Sequence, residues 1–382
     1  MNVLLVSSTL DDDGGMPVCV GRLGVALAQT GHRVAIAGQR WGEPSPAIAA
    51  ARQAPGVEVI DIRQPWTVVG QIAAARQMAG LVGDWLRRHG AGREPAVVHT
   101  HGVWTPAIIA AAEAVRGRSA ALAVSPHGML RRAAMHRSQL VKQLAWTTFV
   151  RREIAWAHAV HATSAQEADD LRSRAGPGLH PRVIPWGIDA IESAPLDHRG
   201  RQGRRVASYV GRMLPIKGLD MLVDAWAAVR PAGWVLRLAG PCDAAMRGEL
   251  ERRIAALGLA AVVSIEPAFP RHDLPRVLAE ASLVVCPSRS ENFSLVVGEA
   301  LAAGVPVITT SETAWRDVSR KGCGWCVPPD TAALTAALAS ATASTEETLA
   351  EMGRSGRAWI ADDFTWNAVA ARIVRELYRP GS

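Results

Sequence analysis

Long apolar runs and lysine are both scarce in this chain of 382 residues, and paired cysteines are few. No stretch approaches the roughly 18 to 20 consecutive apolar residues that cross a bilayer as a helix, so no membrane-spanning helix is predicted. The opening residues, MNVLLVSSTLDDDGG, have too short an apolar run for a secretory signal, and no basic segment precedes it. We therefore expect a soluble, cytoplasmic protein, with peripheral contact to the inner face of the cell membrane left open.

The five cysteines are an odd and scattered set, which is typical of a reducing compartment. Cys323 and Cys326 form a Cys-x-x-Cys pattern, which would suit a redox pair or half of a zinc site. Zinc would need four ligands, and no second pair lies nearby in sequence. Val327-Pro328-Pro329 follows, where a thioredoxin-like site would need a helix. We favour a loop that carries two thiols.

Composition and pattern together predict two domains. Hydrophobic residues make up 49% of the chain and charged residues 20%, which allows a large core and makes disorder improbable. Short apolar strands alternate with helical patterns, which is typical of parallel sheets covered on both faces. The alternation stops in a polar stretch rich in Pro, Gly and Arg at residues 191–205, and then restarts. We predict an α/β protein with domains at residues 1–195 and 203–363.

A basic loop follows the first strand of the second half. Residues 209–218, YVGRMLPIKG, leave this strand and enter a helix, so Arg212 and Lys217 fall in one short loop. Two cations beside a helix amino terminus can bind an anion. The alternative is a solvated basic loop that uses its glycines only for turning. The glycine spacing is not that of a Walker A motif.

A second motif, SENFSLVVGEALAAGVPVITT, occupies residues 290–310. Glu291 falls in the loop before a predicted helix, and Glu299 falls about one turn inside it. Carboxylates accept hydrogen bonds from sugar hydroxyls, and free amides at a helix start bind phosphate oxygens. The alternative is that Glu291 caps the helix and Glu299 is exposed. The amides in question belong to four consecutive residues, Asn292, Phe293, Ser294 and Leu295.

These motifs resemble those of retaining glycosyltransferases of family four, two-domain enzymes of the GT-B fold. The resemblance rests on E-N-F-S-x4-E-A-L-A-x-G-x-P-V, on Gly211-Arg212 with Lys217-Gly218, on residues 184–189 (IPWGID) and on Gly14-Gly15. It spans nearly the whole chain in the family's order. Departures from the family pattern are Trp186, where Asn is usual, and Asn292, where Gly often precedes the Phe. Both could alter selectivity for the donor sugar.

The resemblance implies roles for the second half. Arg212 and Lys217 would hold the donor diphosphate and stabilise it as it leaves. Glu291 would contact the donor sugar, and Glu299 would bind the ribose hydroxyls of the nucleotide. The amides of residues 293–295 would assist with sugar and phosphate. The nucleotide base would lie near residues 265–271.

The first half carries further candidates. Gly14 and Gly15, which would also serve a plain turn, are implied by the resemblance to close over the diphosphate. His127 is implied to lie close to the donor sugar, and His101 and Trp186 are weaker candidates for sugar or acceptor contacts. Asp11-Asp12-Asp13 contains an Asp-x-Asp pattern, but members of the GT-B fold generally stabilise the leaving group with protein cations. We therefore predict no metal and no cofactor.

Residues 129–158 are unusually basic and contain Trp146, Phe149 and Trp156 between their charges. A basic helix with aromatic residues is typical of a membrane-surface element, although a helix with one wet and one buried face would read the same way. No nucleic-acid module accompanies the segment, so no nucleic-acid partner is predicted. Residues 129–158 have a net charge of +5, because one acid, Glu153, stands against six basic residues: Arg131, Arg132, Arg137, Lys142, Arg151 and Arg152.

The sequence thus predicts a retaining enzyme that transfers a hexose from a UDP- or GDP-linked donor to an acceptor hydroxyl. The expected acceptor is a glycan, a lipid-linked oligosaccharide of surface polysaccharide assembly. A nucleotide-sugar epimerase and a non-catalytic nucleotide-sugar-binding protein remain the alternatives. In the family, the carboxyl-terminal helix, residues 364–382 here, packs back on the first domain.

Overall fold

The computed structural model describes residues 1–11, 14–90, 94–135, 139–191 and 203–379. They divide into two compact units. Unit 1 contains Met1–Gly187 together with the residues from Trp366 onward, and unit 2 contains Ile188–Thr365. Within the described ranges, no helix is long and apolar enough to cross a membrane.

Each unit is built on one parallel sheet. The strands of unit 1 pair in the order β3-β2-β1-β4-β5-β6-β7, and those of unit 2 in the order β10-β9-β8-β11-β12-β13. Numbered along the chain, they are β1 Asn2–Ser7, β2 Arg33–Gln39, β3 Val57–Ile62, β4 Ala96–His101, β5 Ala121–Ser125, β6 Ala159–Ala162, β7 Arg182–Val183, β8 Arg205–Val210, β9 Trp234–Ala239, β10 Val263–Glu266, β11 Leu283–Cys286, β12 Val307–Thr310 and β13 Gly324–Val327.

Helices connect most of these strands. Those in the described part of the chain are α1 Gly15–Gln29, α2 Pro46–Gln53, α3 Val68–His89, α4 Pro106–Val115, α5 Arg132–Met135, α6 Gln139–Ala145, α7 Arg151–Trp156, α8 Ala165–Ala175, α9 Leu219–Val229, α10 Ala244–Ala256, α11 Leu274–Ala279, α12 Leu295–Ala302, α13 Thr331–Ala343, α14 Glu346–Asp363 and α15 Trp366–Arg372. Trp146–Val150 and Ile373–Tyr378 are π-helical turns.

The central strands are buried along their length because they carry β-branched and aliphatic side chains throughout, as in β1 (NVLLVS) and β11 (LVVC). In both units the strand order reverses beside the first strand, between β1 and β4 and between β8 and β11. Ligands of open α/β sheets bind at the carboxyl ends of the strands at such a reversal. The fold therefore directs attention to the loops that follow β1 and β4 in unit 1, and β8 and β11 in unit 2.

The structural division falls at Gly187, earlier than the predicted boundary at residue 195. Ile188 belongs to unit 2 because its amide donates to the Phe364 carbonyl at 2.8 Å and its side chain lies against Gly298. Gly187 belongs to unit 1, where the Trp366 indole lies so close that a Cβ on this residue would come within 2.4 Å of it. Residues 192–202 of the predicted linker lie outside the described residues.

Glu153 is a buried carboxyl group in the core of unit 1. Burial raises its pKa to about 8, its Oε1 atom lies 3.5 Å from the Thr100 hydroxyl, and its Oε2 atom has no partner among the described residues. Between the ordinary pKa of 4.5 and pH 8 the native chain therefore keeps a proton that the unfolded chain has released. Stability contributed by this group is lost as pH rises through that window.

We expect Glu153→Gln to remove this pH dependence. The unfolding free energy of the variant minus that of wild type should be about 2–4 kcal/mol higher at pH 8 than at pH 5. Any pH-independent effect of the amide on stability cancels in this comparison. Urea titrations at the two pH values measure the difference. A variant-to-wild-type difference that is the same at both would show that Glu153 ionises normally.

Candidate active site

The conformation of the loop after β8 depends on glycines, which allow positive φ angles and close approach of another backbone segment. Gly211 has φ +144°, and Gly218, at the start of α9, has φ +69°. A Cβ on Gly218 would lie 2.3 Å from the carbonyl oxygen of Pro287, directly after β11. The Lys217 loop therefore lies against the chain that carries the Glu291 loop, and only glycine permits this approach.

A second link between these loops is Arg289. Its guanidinium donates to both carboxylate oxygens of Asp220 at 2.7 and 2.6 Å, and to the Pro215 carbonyl at 3.1 Å. Its amide donates to the Ile216 carbonyl at 2.8 Å. The paired guanidinium lowers the pKa of Asp220, so the pair stays charged at neutral pH. Through its contacts with Asp220, Pro215 and Ile216, Arg289 fixes the turn that precedes α9.

Lys217 and Glu291 form an ion pair between their Nζ and Oε2 atoms. The Ser288 hydroxyl donates to the same carboxylate oxygen at 3.2 Å, and the Glu291 amide donates to the Glu312 carbonyl at 3.1 Å. Both charged side chains remain partly exposed. The structure thus brings together two of the predicted site residues, which lie 74 positions apart in the chain.

The amino terminus of α12 offers free donors. Within the described ranges, the backbone amides of Asn292, Phe293, Ser294 and Leu295 make no hydrogen bond. Ser294 has φ +63°, and its carbonyl accepts from the Trp315 indole at 2.9 Å. Phe293 is buried against Trp315, with ring centroids 5.1 Å apart. Because these two contacts fix the turn, its amides are held ready for an anion at the helix start.

Glu299 lies inside α12 and is buried, not exposed. Its Oε1 atom pairs with the Arg271 guanidinium, which comes from the loop after β10. Burial raises the pKa of Glu299, Arg271 lowers it, and Asp189 raises it further. Arg271 keeps part of its side chain exposed. The pair brings the region predicted to hold the base next to the residue predicted to hold the ribose.

Two more side chains border these loops with unused polar atoms. Arg212 is exposed, and its guanidinium pairs with no carboxylate in the part of the chain that the structure describes. Its backbone carbonyl accepts from the Tyr209 hydroxyl at 2.6 Å, which holds the loop in place. The Asn292 side-chain oxygen is buried and has no hydrogen-bond partner among the described residues. A free cation and a free acceptor thus flank the Lys217–Glu291 pair in sequence.

In unit 1, Gly14 and Gly15 lie at the start of α1, immediately after the β1 loop. Asp11 accepts from the amides of Trp41 and Gly42, so its carboxylate holds the loop after β2. Asp12 and Asp13, the other members of the Asp-x-Asp pattern, lie outside the described residues. The predicted absence of a metal stays a prediction.

A chain of buried hydrogen bonds crosses the carboxyl ends of β4, β5 and β6. Tyr378 meets His99 Nδ1 at 2.9 Å, His99 Nε2 meets Ser125 at 2.7 Å, Ser125 meets His161 Nδ1 at 2.6 Å, and His161 Nε2 meets the Ile184 carbonyl at 2.7 Å. Burial lowers the pKa of His161 to about 4, so the ring is neutral at pH 7. The carbonyl can only accept, which fixes every proton: His161 and His99 carry theirs on Nε2, and both hydroxyls donate to an Nδ1 atom.

His127 lies beside this chain with φ +54°. Its Nε2 atom is 3.0 Å from His101 Nδ1, and the Trp186 ring stacks on it with centroids 5.2 Å apart and planes 15° apart. His101 and Trp186 are themselves buried. Burial lowers the pKa of His127 to about 3. In this structure His101 and Trp186 orient His127, and their predicted sugar contacts stay predictions.

The basic segment 129–158 is a run of short helices whose aromatic residues do not share one exposed face. Trp146 is buried in the core of unit 1, Trp156 is partly buried and packs against that core, and Phe149 is exposed. The segment predicted as a membrane-surface element therefore presents a different apolar face, which lies on α6 and consists of Leu140, Val141 and Leu144. Arg137 lies outside the described residues.

Comparison with known proteins decides the family. Residues 14–187 match the family described as "Glycosyl transferase 4-like domain", and residues 204–344 match "Glycosyl transferases group 1". The chain is 30% identical to the D-inositol 3-phosphate glycosyltransferase of Nocardia farcinica over 331 residues, which are 80% of this chain and 72% of that protein. The chain belongs to the group 1 glycosyltransferases.

Other relatives of this glycosyltransferase carry related names. It is 29% identical over 403 aligned positions to the D-inositol 3-phosphate glycosyltransferase of Jonesia denitrificans, covering 95% of this chain and 90% of that protein. It is 31% identical over 217 residues to the MMP alpha-(1->4)-mannosyltransferase of Mycolicibacterium hassiacum, covering 56% of this chain and 51% of the mannosyltransferase.

Solved structures confirm the predicted GT-B fold. HepE of Anabaena, solved in complex with UDP-glucose, superposes with a TM-score of 0.77 at 20% identity over 98% of this chain and 99% of that one. Sucrose-phosphate synthase of Thermosynechococcus elongatus superposes with a TM-score of 0.74 at 22% identity over 98% and 97% of the two chains.

Sequence reasoning missed three residues that shape this site. Arg271 was included only as the end of a region, and Arg289 and Asp220 were not considered. Each acts through a partner distant in sequence, 28 positions away for Arg271 and 69 for Arg289. Arg289 stands next to the motif residue Ser290, and that adjacency was the one signal available.

Proposed function

We propose that this glycosyltransferase uses a nucleoside-diphosphate hexose as donor and binds it on unit 2 at the carboxyl ends of β8 and β11. The observation that carries the proposal is the Lys217–Glu291 pair placed beside the free amides of α12. A diphosphate needs cations and N–H donors, and a sugar needs carboxylate acceptors. HepE, solved with UDP-glucose, has the same fold, which supports this donor class.

Within this proposal, Lys217, Arg212 and the α12 amides bind the diphosphate, and Glu291 exchanges its Lys217 partner for sugar hydroxyls. Glu299, paired with Arg271, accepts from the ribose hydroxyls. Gly14 and Gly15 are further proposed diphosphate-binding residues, and His127 is a further proposed sugar-binding residue, as the family resemblance implies. No metal is required because fixed protein charges meet the leaving group.

The proposed reaction retains the anomeric configuration. The bond between the sugar's anomeric carbon and the diphosphate oxygen breaks, and the acceptor oxygen bonds to that carbon from the same face. The acceptor proton passes to the departing phosphate. Negative charge grows on the leaving diphosphate, so donors already oriented toward it lower the barrier.

Release of nucleoside diphosphate from the donor alone tests this proposal. The purified enzyme should slowly hydrolyse at least one of UDP-glucose, UDP-galactose, GDP-mannose or ADP-glucose, with burst-free linear kinetics. A donor that raises the melting temperature without any release would favour the binding-protein alternative. Interconversion of sugars without release would favour an epimerase.

Asn292 is the proposed determinant of donor-sugar selectivity, because its unpaired side-chain oxygen can accept from a sugar hydroxyl. We expect Asn292→Gly to raise the KM for the preferred donor by about fivefold, since one neutral hydrogen bond is worth roughly 1 kcal/mol. The melting temperature should change little, because that oxygen has no protein partner to lose. If the substitution left the KM of every donor unchanged, Asn292 would have no part in donor-sugar selectivity.

We propose that the acceptor is a glycan on a lipid carrier and that the enzyme meets it at the inner membrane surface, in surface polysaccharide assembly. The support is residues 129–158, where exposed Leu140, Val141 and Leu144 are followed in sequence by exposed Arg151 and Arg152. An apolar face with flanking cations is typical of interfacial helices. Comparing transfer rates to matched acceptors with and without the lipid, in the presence of vesicles, tests this acceptor class.

A further inference from the structure

Ser294 holds a backbone conformation that a residue with a Cβ disfavours. It directly precedes α12 and has φ +63° and ψ +75°, which is the left-handed region. Its hydroxyl does not cap the helix and lies instead 3.4 Å from the Cys286 thiol. Strained residues of this kind persist only where the surrounding structure holds them, and they cluster at functional sites. The conformation of Ser294 therefore depends on a contact that maintains it.

The Trp315 indole provides that contact from the loop after β12, 21 positions away in the chain. Its N–H donates to the Ser294 carbonyl at 2.9 Å. The same carbonyl accepts from the Val297 amide at 3.1 Å, within the first turn of α12. A carbonyl oxygen has two lone pairs, and here each receives one donor. Because the two donors come from different elements, they fix the direction of this peptide group.

The Trp315 ring is itself held in place by its neighbours in unit 2. It is 1% exposed and packs against three aromatic rings, with centroid distances of 5.1, 5.7 and 5.0 Å to Phe293, Trp359 and Phe364. Its backbone amide donates to the Thr313 hydroxyl at 3.2 Å. The indole N–H is therefore a donor in a fixed position, and the turn before α12 must match it.

The conformation of Ser294 decides where the amides of this turn point. Within the described ranges, the amides of residues 292–295 make no hydrogen bond. A left-handed residue next to right-handed ones turns successive N–H groups toward one point, which makes a concave site for an anion. If Ser294 returned to negative φ, the peptide groups on its two sides would rotate relative to each other. The amides would then no longer converge.

We propose that Trp315 is a positioning residue of the donor site. Its indole N–H keeps Ser294 left-handed, and the amides of residues 293–295 thereby stay converged on the donor diphosphate. Because its side chain is buried, Trp315 acts through Ser294 and does not touch the donor. The inference rests on the proposed function, since it concerns the same amides. It adds a residue that lies outside both sequence motifs of unit 2, residues 209–218 and 290–310.

Calorimetric titration of the full chain with UDP, GDP and ADP tests the inference. Trp315→Phe keeps an aromatic ring in the cluster and removes the N–H, so the left-handed turn loses population and nucleotide binding should weaken about tenfold. The chain should stay folded, because the Ser294 carbonyl keeps its bond from the Val297 amide. The matched control is Trp359→Phe, which should bind like wild type. It removes an indole N–H from the same cluster, but one that donates to Asp363 at 3.0 Å.

A double-mutant cycle separates positioning from packing. Glycine adopts positive φ without a Cβ penalty, so Trp315→Phe should weaken binding by no more than about twofold when Ser294→Gly is already present. An equal loss with and without Ser294→Gly would overturn the inference, because a purely packing role predicts it. Unaltered binding by Trp315→Phe, alongside weakened binding by Lys217→Ala, would also overturn it and would leave the proposed function standing. If wild type bound none of the three nucleotides, the proposed donor site and this inference would both be wrong.

Discussion

Replacing Lys217 by alanine is expected to lower kcat by about 10²–10³-fold while the chain stays folded. This is the usual cost of removing one preorganised donor from a developing negative charge. The ion partner, Glu291, is partly exposed, so it can be solvated once the lysine is gone. The rate of nucleoside-diphosphate release, with saturating donor and acceptor, measures the loss.

Lys321→Ala is the matched control for this experiment. Lys321 also belongs to unit 2 and also pairs with an acid, Asp363 at 3.8 Å, but it follows the short turn Arg316–Val318 and is not part of the loops after β8 and β11. Its removal should leave kcat within about twofold, as is usual for a surface pair of small energy. Equal losses in Lys217→Ala and Lys321→Ala would mean that the Lys217 loop does not serve the leaving group.

Gly218→Ala is expected to destabilise unit 2 by about 3 kcal/mol or more and to lower activity with it. Left-handed backbone costs a residue with a Cβ about 1–2 kcal/mol, and here the added atom would also meet the Pro287 carbonyl at 2.3 Å. Relief of that contact requires the Lys217 loop to move away from β11. Urea unfolding and donor KM should therefore change together.

Gly258→Ala isolates the contact from the backbone strain. Gly258 has φ +65°, close to the +69° of Gly218, but a Cβ on it would meet nothing within 4 Å. This variant should lose only about 1 kcal/mol and keep the wild-type KM. If the two variants lost the same stability and both kept their KM, the approach of Gly218 to Pro287 would have no part in forming the site.

The sequence was enough to predict the two-sheet fold because strand and helix signals are local. Runs such as VLLV in β1 and LVVC in β11 are typical of buried strands, and glycines mark the turns between elements. The E-x7-E motif was likewise readable, because Glu291 and Glu299 sit on one loop and one helix. Their placement before and inside α12 follows from neighbours in the chain.

What a single sequence could not supply was the partner of each charge. Glu299 resembles an exposed helical residue in the sequence, yet it is buried and pairs with Arg271 of the loop after β10. Arg289 fixes the turn before α9 through Asp220 only once β8 and β11 are neighbours in the sheet. Such pairs depend on strand order, which local pattern does not encode.

The basic segment 129–158 shows a different limit. Its charges and aromatic residues were compatible with a membrane-surface helix and with a helix that buries one aromatic face, and a π-helical turn at Trp146–Val150 shifts the register of the helix. Trp146 turns into the core while Phe149 stays outside. A pattern count that assumes one continuous α-helix therefore assigns the wrong residues to the exposed face.

Calorimetric titration of nucleoside diphosphates tests the central claim most directly, because it needs neither the sugar nor the acceptor. Wild type should bind at least one of UDP, GDP and ADP with one site per chain. Lys217→Ala and Glu299→Ala should each weaken that binding by about tenfold or more, and Lys321→Ala should not. Failure of all three nucleotides to bind, or binding that survives both substitutions unchanged, would contradict a donor site at the carboxyl ends of β8 and β11.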